Sequence, residues 1–409
     1  MRLVLLTGAF SKGMGYLENM LPKYLARTGT ETHVVAMDLP PNYWMVGFND
    51  TYGHLSGQHQ AGTIQELDGF TLHILGHRKI AGYMRMVGLR KKLASIQPDI
   101  VQASACIGWI PLDAALYKRS FGYKLFTGNH YHASVFPLAG KQTSWWNAER
   151  LRCSITRTLP GRLIGLVTEK CYAIAPDCAD VASKFFGVPH GKIDICPLGV
   201  DTEIFRPVSS ERDRQARKEL RERLGFGDKD IVCTYTGRFS EDKNPLLLAQ
   251  AVTKLARQGE PYRGLFVGQG IQGEAIESCV GCKTHPFVPV EELPNFFRAS
   301  DIAAWPTQES LSMLDAASCG IPVIANHSIT TKERVEGNGL LYRLNDRDDL
   351  VRRLLELRAQ GTREQLGSAG AAKAARDFSW RAVADKRVGD YKRSLGEVFS
   401  VTCRELSAN

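Results

Sequence analysis

The feature that most constrains this chain is a repeated change of pattern. Short apolar or β-branched runs alternate with longer helix-period segments along all 409 residues, the form taken by parallel sheets wound with crossover helices. A first series of strands is predicted at Leu3–Leu6, Thr32–Met37, Thr71–Leu75, Asp99–Gln102, Lys124–Thr127, Cys171–Ala175 and Ile193–Pro197. The alternation then restarts, with strands at Ile231–Thr236, Gly264–Gly268, His285–Val288, Ile302–Trp305, Pro322–Ala325 and Gly339–Tyr342. Between the series lie Pro197-Leu-Gly-Val-Asp-Thr-Glu-Ile-Phe-Arg-Pro207 and the stretch Ser209–Arg223, dense in arginine and glutamate. The pattern implies an α/β chain with two Rossmann-like doubly wound domains facing across a cleft, residues 1–200 and 201–378. Periodicity leaves open whether the terminal helical segment, 379–409, packs on its own domain or crosses back to the first. This length exceeds one ordinary core. Doubly wound domains bind ligands at the carboxyl ends of their strands, so a site shared by both lobes is expected.

A formal net charge of +9 asks for an anionic partner: nucleic acid, an acidic membrane surface or a phosphorylated substrate. No helix-turn-helix, RNA-binding or zinc-finger signature accompanies the charge, so nucleic acid is not expected. Basic residues gather at Arg85–Lys92 and at Trp145–Lys170, where Trp145, Trp146, Arg150, Arg152, Arg157 and Arg162 interleave with Leu151, Ile155, Leu159, Leu163 and Ile164. Spacings of four residues predict a basic amphipathic helix interrupted at Pro160-Gly161. It is either a membrane-docking element or a core helix with a solvated arginine face. No apolar run approaches the roughly 18–20 residues that span a bilayer. Leu3–Leu6 is also far shorter than a signal-peptide core, so a cytoplasmic protein is expected, with the inner face of the membrane as a place it docks. Ten scattered cysteines suit reduced, buried thiols. Cys279-Val-Gly-Cys282 with His285 opens like a zinc site but lacks a second pair, and no metal is expected there.

Two strand-to-helix turns carry candidate chemistry. After the first strand comes Thr7-Gly-Ala-Phe-Ser-Lys-Gly-Met-Gly15, where Gly13 and Gly15 would let backbone N–H groups approach a phosphate at a helix start. The dinucleotide fingerprint is not completed, because Glu18 stands where its third glycine belongs. The matching turn of the second series is Tyr235-Thr-Gly-Arg-Phe-Ser-Glu-Asp-Lys-Asn-Pro245, with Asn244 and Pro245 suited to open the next helix. Arg238 and Lys243 offer a planar fork and a point charge, a pair that fits a diphosphate unless Glu241 and Asp242 neutralise them. Further on, helix-start N–H groups around Ser310, Leu311 and Ser312 would meet phosphate oxygens, and Asp315 would meet ribose hydroxyls. Glu309 by itself reads as a helix cap.

Taken together, Gly237–Pro245, the linker Pro197–Pro207, Glu309-Ser310 with Asp315, Gly320-Ile-Pro-Val323 and Phe378-Ser-Trp380 resemble the family-four (GT4) retaining glycosyltransferases, the glycosyl transferases group 1 with the GT-B fold. The first half resembles them more loosely, through Gly13-Met-Gly15 and a histidine after the fifth strand. The resemblance implies an acceptor-binding first domain and a second domain that binds a nucleotide-diphosphate sugar. Arg238 and Lys243 would neutralise the donor diphosphate, Glu309 would face the sugar hydroxyls, and His130, with His132 as a rival, would lie near the sugar's reactive side. Asp315 stands where the family has a second glutamate, closer to Glu309 than is usual there. Val288 marks a strand end around which base selectivity would rest. The leaving phosphate would itself take the acceptor's proton, with no cofactor and no metal. The expected partners are a nucleotide-sugar donor and a glycan or lipid-linked acceptor, in cell-envelope or exopolysaccharide assembly, with an anionic membrane surface as a further partner. A non-catalytic nucleotide-binding homologue and a nucleotide-dependent oxidoreductase are the alternatives.

Overall fold

The structure, a computed structural model, describes residues 1–12, 15–40, 60–133, 136, 138–139 and 148–397. Strands β1 (Arg2–Leu6), β2 (Glu31–Met37), β3 (Ile64–Leu67), β4 (Phe70–Leu75), β7 (Ile100–Ala103), β8 (Lys124–Asn129), β9 (Thr168–Ala173) and β10 (Ile193–Ile195) form one sheet, while β5 (His77–Ile80) and β6 (Tyr83–Met86) pair apart from it. The sheet order is β10-β9-β8-β7-β1-β2-β4-β3, parallel except for the antiparallel edge strand β3. A second sheet holds β11 (Ile231–Thr236), β12 (Tyr262–Val267), β13 (Cys282–His285), β14 (Ile302–Trp305), β15 (Val323–Asn326) and β16 (Gly339–Tyr342). Its order, β13-β12-β11-β14-β15-β16, is the doubly wound order, with the reversal between β11 and β14. β11 is buried at every position, as a central parallel strand covered on both faces requires. The fold is therefore α/β with two Rossmann-like sheets.

Two expectations are corrected, and three strands were not expected. The strand placed at His285–Val288 ends at His285, because Pro286 has no N–H for the ladder; Phe287 and Val288 continue as loop. The helix near residue 160 is not interrupted at Pro160-Gly161. Helix Ala148–Cys153 runs through a π turn, Ser154–Thr158, into helix Leu159–Val167, so the irregularity precedes the proline and absorbs its missing N–H. Strands β3, β5 and β6 escaped the strand pattern because each is four residues long and little buried, while β4 was expected at Thr71–Leu75. Their turns, Asp68-Gly69 and Ala81-Gly82, have positive φ at both central residues, which suits two-residue hairpins. Trp145 and Trp146 lie outside the described residues.

The chain passes between the sheets twice, and the passages touch. Val200 N–H donates to Phe378 at 2.7 Å and Trp380 N–H to Val200 at 3.1 Å. A Cβ on Gly199 would lie 2.7 Å from the Trp380 ring, so only glycine allows the crossing. The helix Trp380–Ser394 then packs on the first sheet: Trp380, Val383, Val388 and Tyr391 share a buried cluster with Leu3, Leu5, Phe126 and Tyr172. Asp390 accepts from Lys170 and Tyr172, each at 2.9 Å. The linker's Asp201 accepts from Lys23 at 2.8 Å and Tyr24 at 2.6 Å on the helix Leu17–Arg27, clamping the start of the second lobe to the first.

Candidate functional site

The loop after β11 is shaped by glycines around Phe239. Phe239 is buried, and its N–H donates to Gln269 at 2.8 Å. A Cβ on Gly268 would stand 1.9 Å from the Gly237 carbonyl, and one on Gly270 would stand 2.6 Å from that of Phe239. The Tyr235 hydroxyl donates to the Arg238 carbonyl at 2.9 Å, which fixes the backbone beneath the guanidinium. Asn244 holds the position before helix Pro245–Arg257 in a left-handed conformation, φ 47°, and its side chain makes no capping bond, so capping there is corrected. The Arg238 guanidinium lies 3.6 Å from the Asp242 carboxylate, within the neutralising contact weighed from the sequence. Lys243 is turned instead toward the second loop, 3.4 Å from the Glu309 carbonyl. Burial, with Arg238 nearby, holds its ammonium below the usual lysine range.

The loop after β14 is held from beneath. Trp305 is buried and donates to Thr236 at 3.1 Å; Asn326 donates to the Pro306 and Thr307 carbonyls at 3.1 and 2.6 Å, and Tyr342 to Pro306 at 2.6 Å. Glu309 is not a helix cap. Its carboxylate accepts from the Thr330 hydroxyl at 2.7 Å, while Leu311 precedes the helix Ser312–Ser318. Two of the helix-start N–H groups expected to be open are engaged, Ser310 facing the Met313 sulfur at 3.5 Å and Ser312 donating to the Ser310 hydroxyl at 3.3 Å. Asp315 falls in the first turn of that helix, and burial pushes its carboxyl up to about 7.

These two loops, with the β1 turn of the first lobe, bound a cavity of about 310 Å³. Gly15, Val288, Ser310, Leu311, Ser312 and Asp315 all line it, together with Thr236 and Asp201. Arg238, Lys243 and Glu309 stand beside it on the two loops, next to Gly237 and Ser310 of its wall. The Gly15 position is one where the lobes nearly touch, since a Cβ there would meet Val290 at 3.0 Å. Gly13 lies outside the described residues. A second cavity, about 580 Å³, opens under the strand ends of the first sheet. Tyr16 and Leu311 line both cavities, so the two adjoin.

His130 lines the first-lobe cavity, away from the residues of the second lobe apart from Leu311. Burial, helped by Arg387, pulls its imidazole down to about 4, so it is neutral at pH 7. His132 is committed elsewhere, its Nδ1 3.0 Å from Asp177, which also accepts from the Ala133 N–H at 2.9 Å. His132, Asp177 and Cys178 are the metal-type cluster among the described residues, and burial pushes the Cys178 thiol up.

Three contributors were not singled out from the sequence. Glu18, seen there only as a missing glycine, lines the first-lobe cavity, and burial pushes its carboxyl up to about 7. Arg334 is buried and donates to the Ser310 carbonyl at 3.1 Å, and its Nε has no partner among the described residues. The Thr236 hydroxyl, on the wall of the smaller cavity, is likewise buried without a partner among the described residues. The position of Thr236 at the end of a central parallel strand was a usable signal. Arg334 carried none, because it reaches the site from a distant turn.

Comparison with known proteins agrees with this architecture. Residues 230–360 match the family glycosyl transferases group 1. A D-inositol 3-phosphate glycosyltransferase from Mycobacterium tuberculosis is 29% identical over 228 residues, 52% of this chain and 46% of that one. The chain thus spans about half the length of the curated relatives it matches. Sucrose-phosphate synthase from Thermosynechococcus elongatus shares the fold with a TM-score of 0.70 at 14% identity, covering 97% of this chain and 100% of that one. Anabaena Alr3699/HepE, solved in complex with UDP, does so with a TM-score of 0.66 at 15% identity, covering 97% and 100%. Residues 230–360 thus carry a glycosyl transferases group 1 domain, within a chain of two-lobed GT-B fold.

Proposed function

We propose that this chain is a retaining glycosyltransferase that moves a hexose from a nucleotide-diphosphate sugar to a hydroxyl of a lipid-linked or polysaccharide acceptor, in cell-envelope or exopolysaccharide synthesis. The observation that carries this reading is the 310 Å³ cavity between the lobes, walled by Val288, Ser310, Leu311, Ser312 and Asp315, with the Arg238 and Lys243 loop at its edge. A diphosphate lying along that edge meets two cations held in place before it arrives, so charge developing on the leaving phosphate is stabilised without reorganisation. Glu309, anchored by Thr330, addresses the sugar hydroxyls, and the Thr236 hydroxyl and Asp315 offer polar contacts deeper in. Asp315 accepts a ribose hydroxyl when ionised and donates to one when protonated, so its carboxyl near 7 keeps both options open.

The acceptor enters the larger cavity, where neutral His130 is an uncharged hydrogen-bonding partner near the junction at Tyr16 and Leu311. Departing phosphate takes the acceptor's proton on the face it leaves. The two cations do the work of a metal ion, and the reaction proceeds without one. Among the described residues no helix is long and apolar enough to cross a membrane, and we place the enzyme at the inner face of the membrane as a peripheral protein.

Calorimetric titration of UDP, GDP and ADP with EDTA present, into wild type and Arg238→Ala/Lys243→Ala protein, tests this. Micromolar binding of one nucleotide, lost in the double variant, supports the donor site. Absence of binding to folded wild type would favour a non-catalytic homologue.

A further inference from the structure

Helix Ala148–Cys153, the π turn Ser154–Thr158 and helix Leu159–Val167 form one continuous rod on the first lobe. Its inner face is unambiguous. Cys153 and Ile164 are buried, a Cβ on Gly161 would stand 1.9 Å from the Phe186 carbonyl, and one on Gly165 would stand 2.6 Å from Pro189. The glycines let the rod lie flush on the chain at 186–189, which fixes what points outward. Leu151, Ile155, Leu159, Leu163 and Leu166 are each 55–63% exposed. They recur at steps of four, four, four and three residues. Such steps drift around a pure α-helix, and the wider π turn in the middle reduces that drift, so the five side chains make one stripe.

A soluble core does not need this arrangement, since the rod's packing is already satisfied on the other side. Arg152 and Arg162 are exposed next to the stripe and make no ion pair among the described residues. Arg157, by contrast, turns inward, its guanidinium 5.2 Å over the Phe136 ring and 3.2 Å from the Tyr83 hydroxyl. Tyr83 lines the first-lobe cavity, and Ile107 of the same cavity touches the rod at Gly161. The neighbouring helix Trp109–Phe121, whose first turn also lines that cavity, exposes Leu116.

We propose that the outer face of residues 148–167 is a docking surface for an anionic lipid bilayer, with the leucine and isoleucine stripe in the acyl boundary and Arg152 and Arg162 at the headgroups. An exposed apolar stripe flanked by arginine that has no ion pair among the described residues matches a surface that is apolar inside and negative at its rim. Docking there sets the first-lobe cavity beside the membrane, where a hydroxyl on a lipid-anchored acceptor reaches it. The proposal rests on the lipid-linked acceptor reading, and its test scores lipid binding without turnover, so failure of either is seen separately.

The test is co-sedimentation of the full chain with vesicles of phosphatidylcholine alone or with 30% phosphatidylglycerol, at about 0.1 and 0.5 M salt. Wild type is expected on the anionic vesicles, at least tenfold more than on neutral ones. Ile155→Glu/Leu159→Glu/Leu163→Glu is expected to lose binding at least tenfold with thermal unfolding unchanged. Arg152→Ala/Arg162→Ala is expected to lose roughly 30-fold at low salt, about fivefold per basic side chain at the headgroups. Wild type that stays in the supernatant, or a triple variant that binds as wild type does, overturns the proposal. So does a concentration-dependent dimer that the triple variant dissolves in the absence of lipid, because the stripe then belongs to a second copy.

Discussion

The two cavities stand at equivalent places in their sheets, outside the reversal between β1 and β7 and between β11 and β14, and both have largely apolar walls, but the charges around them differ. The one against the second lobe is edged by loops bearing Arg238, Lys243 and Arg334, with rigid backbone beneath them. The first-lobe cavity has Tyr83 and Trp109 in its wall and no lysine or arginine among its lining residues, and burial shifts two of its groups toward neutrality, His130 to about 4 and Glu18 to about 7. A fixed anion needs permanent, pre-placed positive charge, while a neutral hydroxyl needs a dry cavity with few charges. On the proposed function, two doubly wound frames would serve both needs through the different residues at their strand ends.

The sharpest way to break this contrast is to remove the cations. Arg238→Ala and Lys243→Ala are each expected to lower kcat by about 10²–10³-fold, the usual cost of one preorganised donor at developing negative charge. Steady-state turnover on the nucleotide sugar found by titration checks this. A loss in KM alone would mean the pair only holds the ground state.

Next in size is the frame beneath them. Gly268→Ala puts a methyl 1.9 Å from the Gly237 carbonyl and is expected to destabilise the second lobe by about 3 kcal/mol, read as an early unfolding step in calorimetry. An equivalent change at Gly29, where a Cβ meets nothing within 4 Å, has no steric cost although its φ of +82° still carries strain.

The first-lobe cavity makes its prediction through pH. Glu18 titrates at about 7 when folded against an ordinary 4.5, so the folded state holds its proton longer. Its contribution is fully present below 4.5 and lost as pH rises through about 7. His130, lowered to about 4 from 6.5, works the other way: its contribution is present above 6.5 and lost as pH falls toward 4. Glu18→Gln is therefore expected to gain stability over wild type between pH 5 and 8, by about 1–2 kcal/mol after allowing for partial exposure. Denaturant titrations at both pH values measure it, and an unchanged difference would sink the assignment.

Smallest is the contact between the lobes. Gly15→Ala asks Val290 to yield by a few tenths of an ångström, and a few-fold rise in donor KM with kcat retained is expected.

What was legible followed from element-level pattern. β11 reads as a buried parallel strand because six successive residues are sheltered on both faces, and Arg238 and Lys243 fall after it whatever the neighbours do. Val288, Ser310, Leu311, Ser312 and Asp315 come together around one cavity because strand ends of one parallel sheet open on one edge. The engagement of Ser310 and Ser312 N–H groups was not legible, since it depends on Met313 and on a local turn. Nor was the orientation of residues 148–167. Their pattern of four-residue steps fitted a core helix or a surface helix equally well.

The sequence by itself determined two parallel sheets, the order of their elements and the loops that bear the chemistry, because periodicity states which residues share a face and where each element stops. Only the tertiary structure decided what lies opposite those faces. It brought Arg334 under Ser310, tied Glu309 to Thr330, clamped Asp201 to Lys23 and Tyr24, and left the Leu151–Leu166 stripe exposed among the described residues. Each of these joins residues distant in the chain, or leaves a face without a partner, and a one-dimensional pattern carries no record of either.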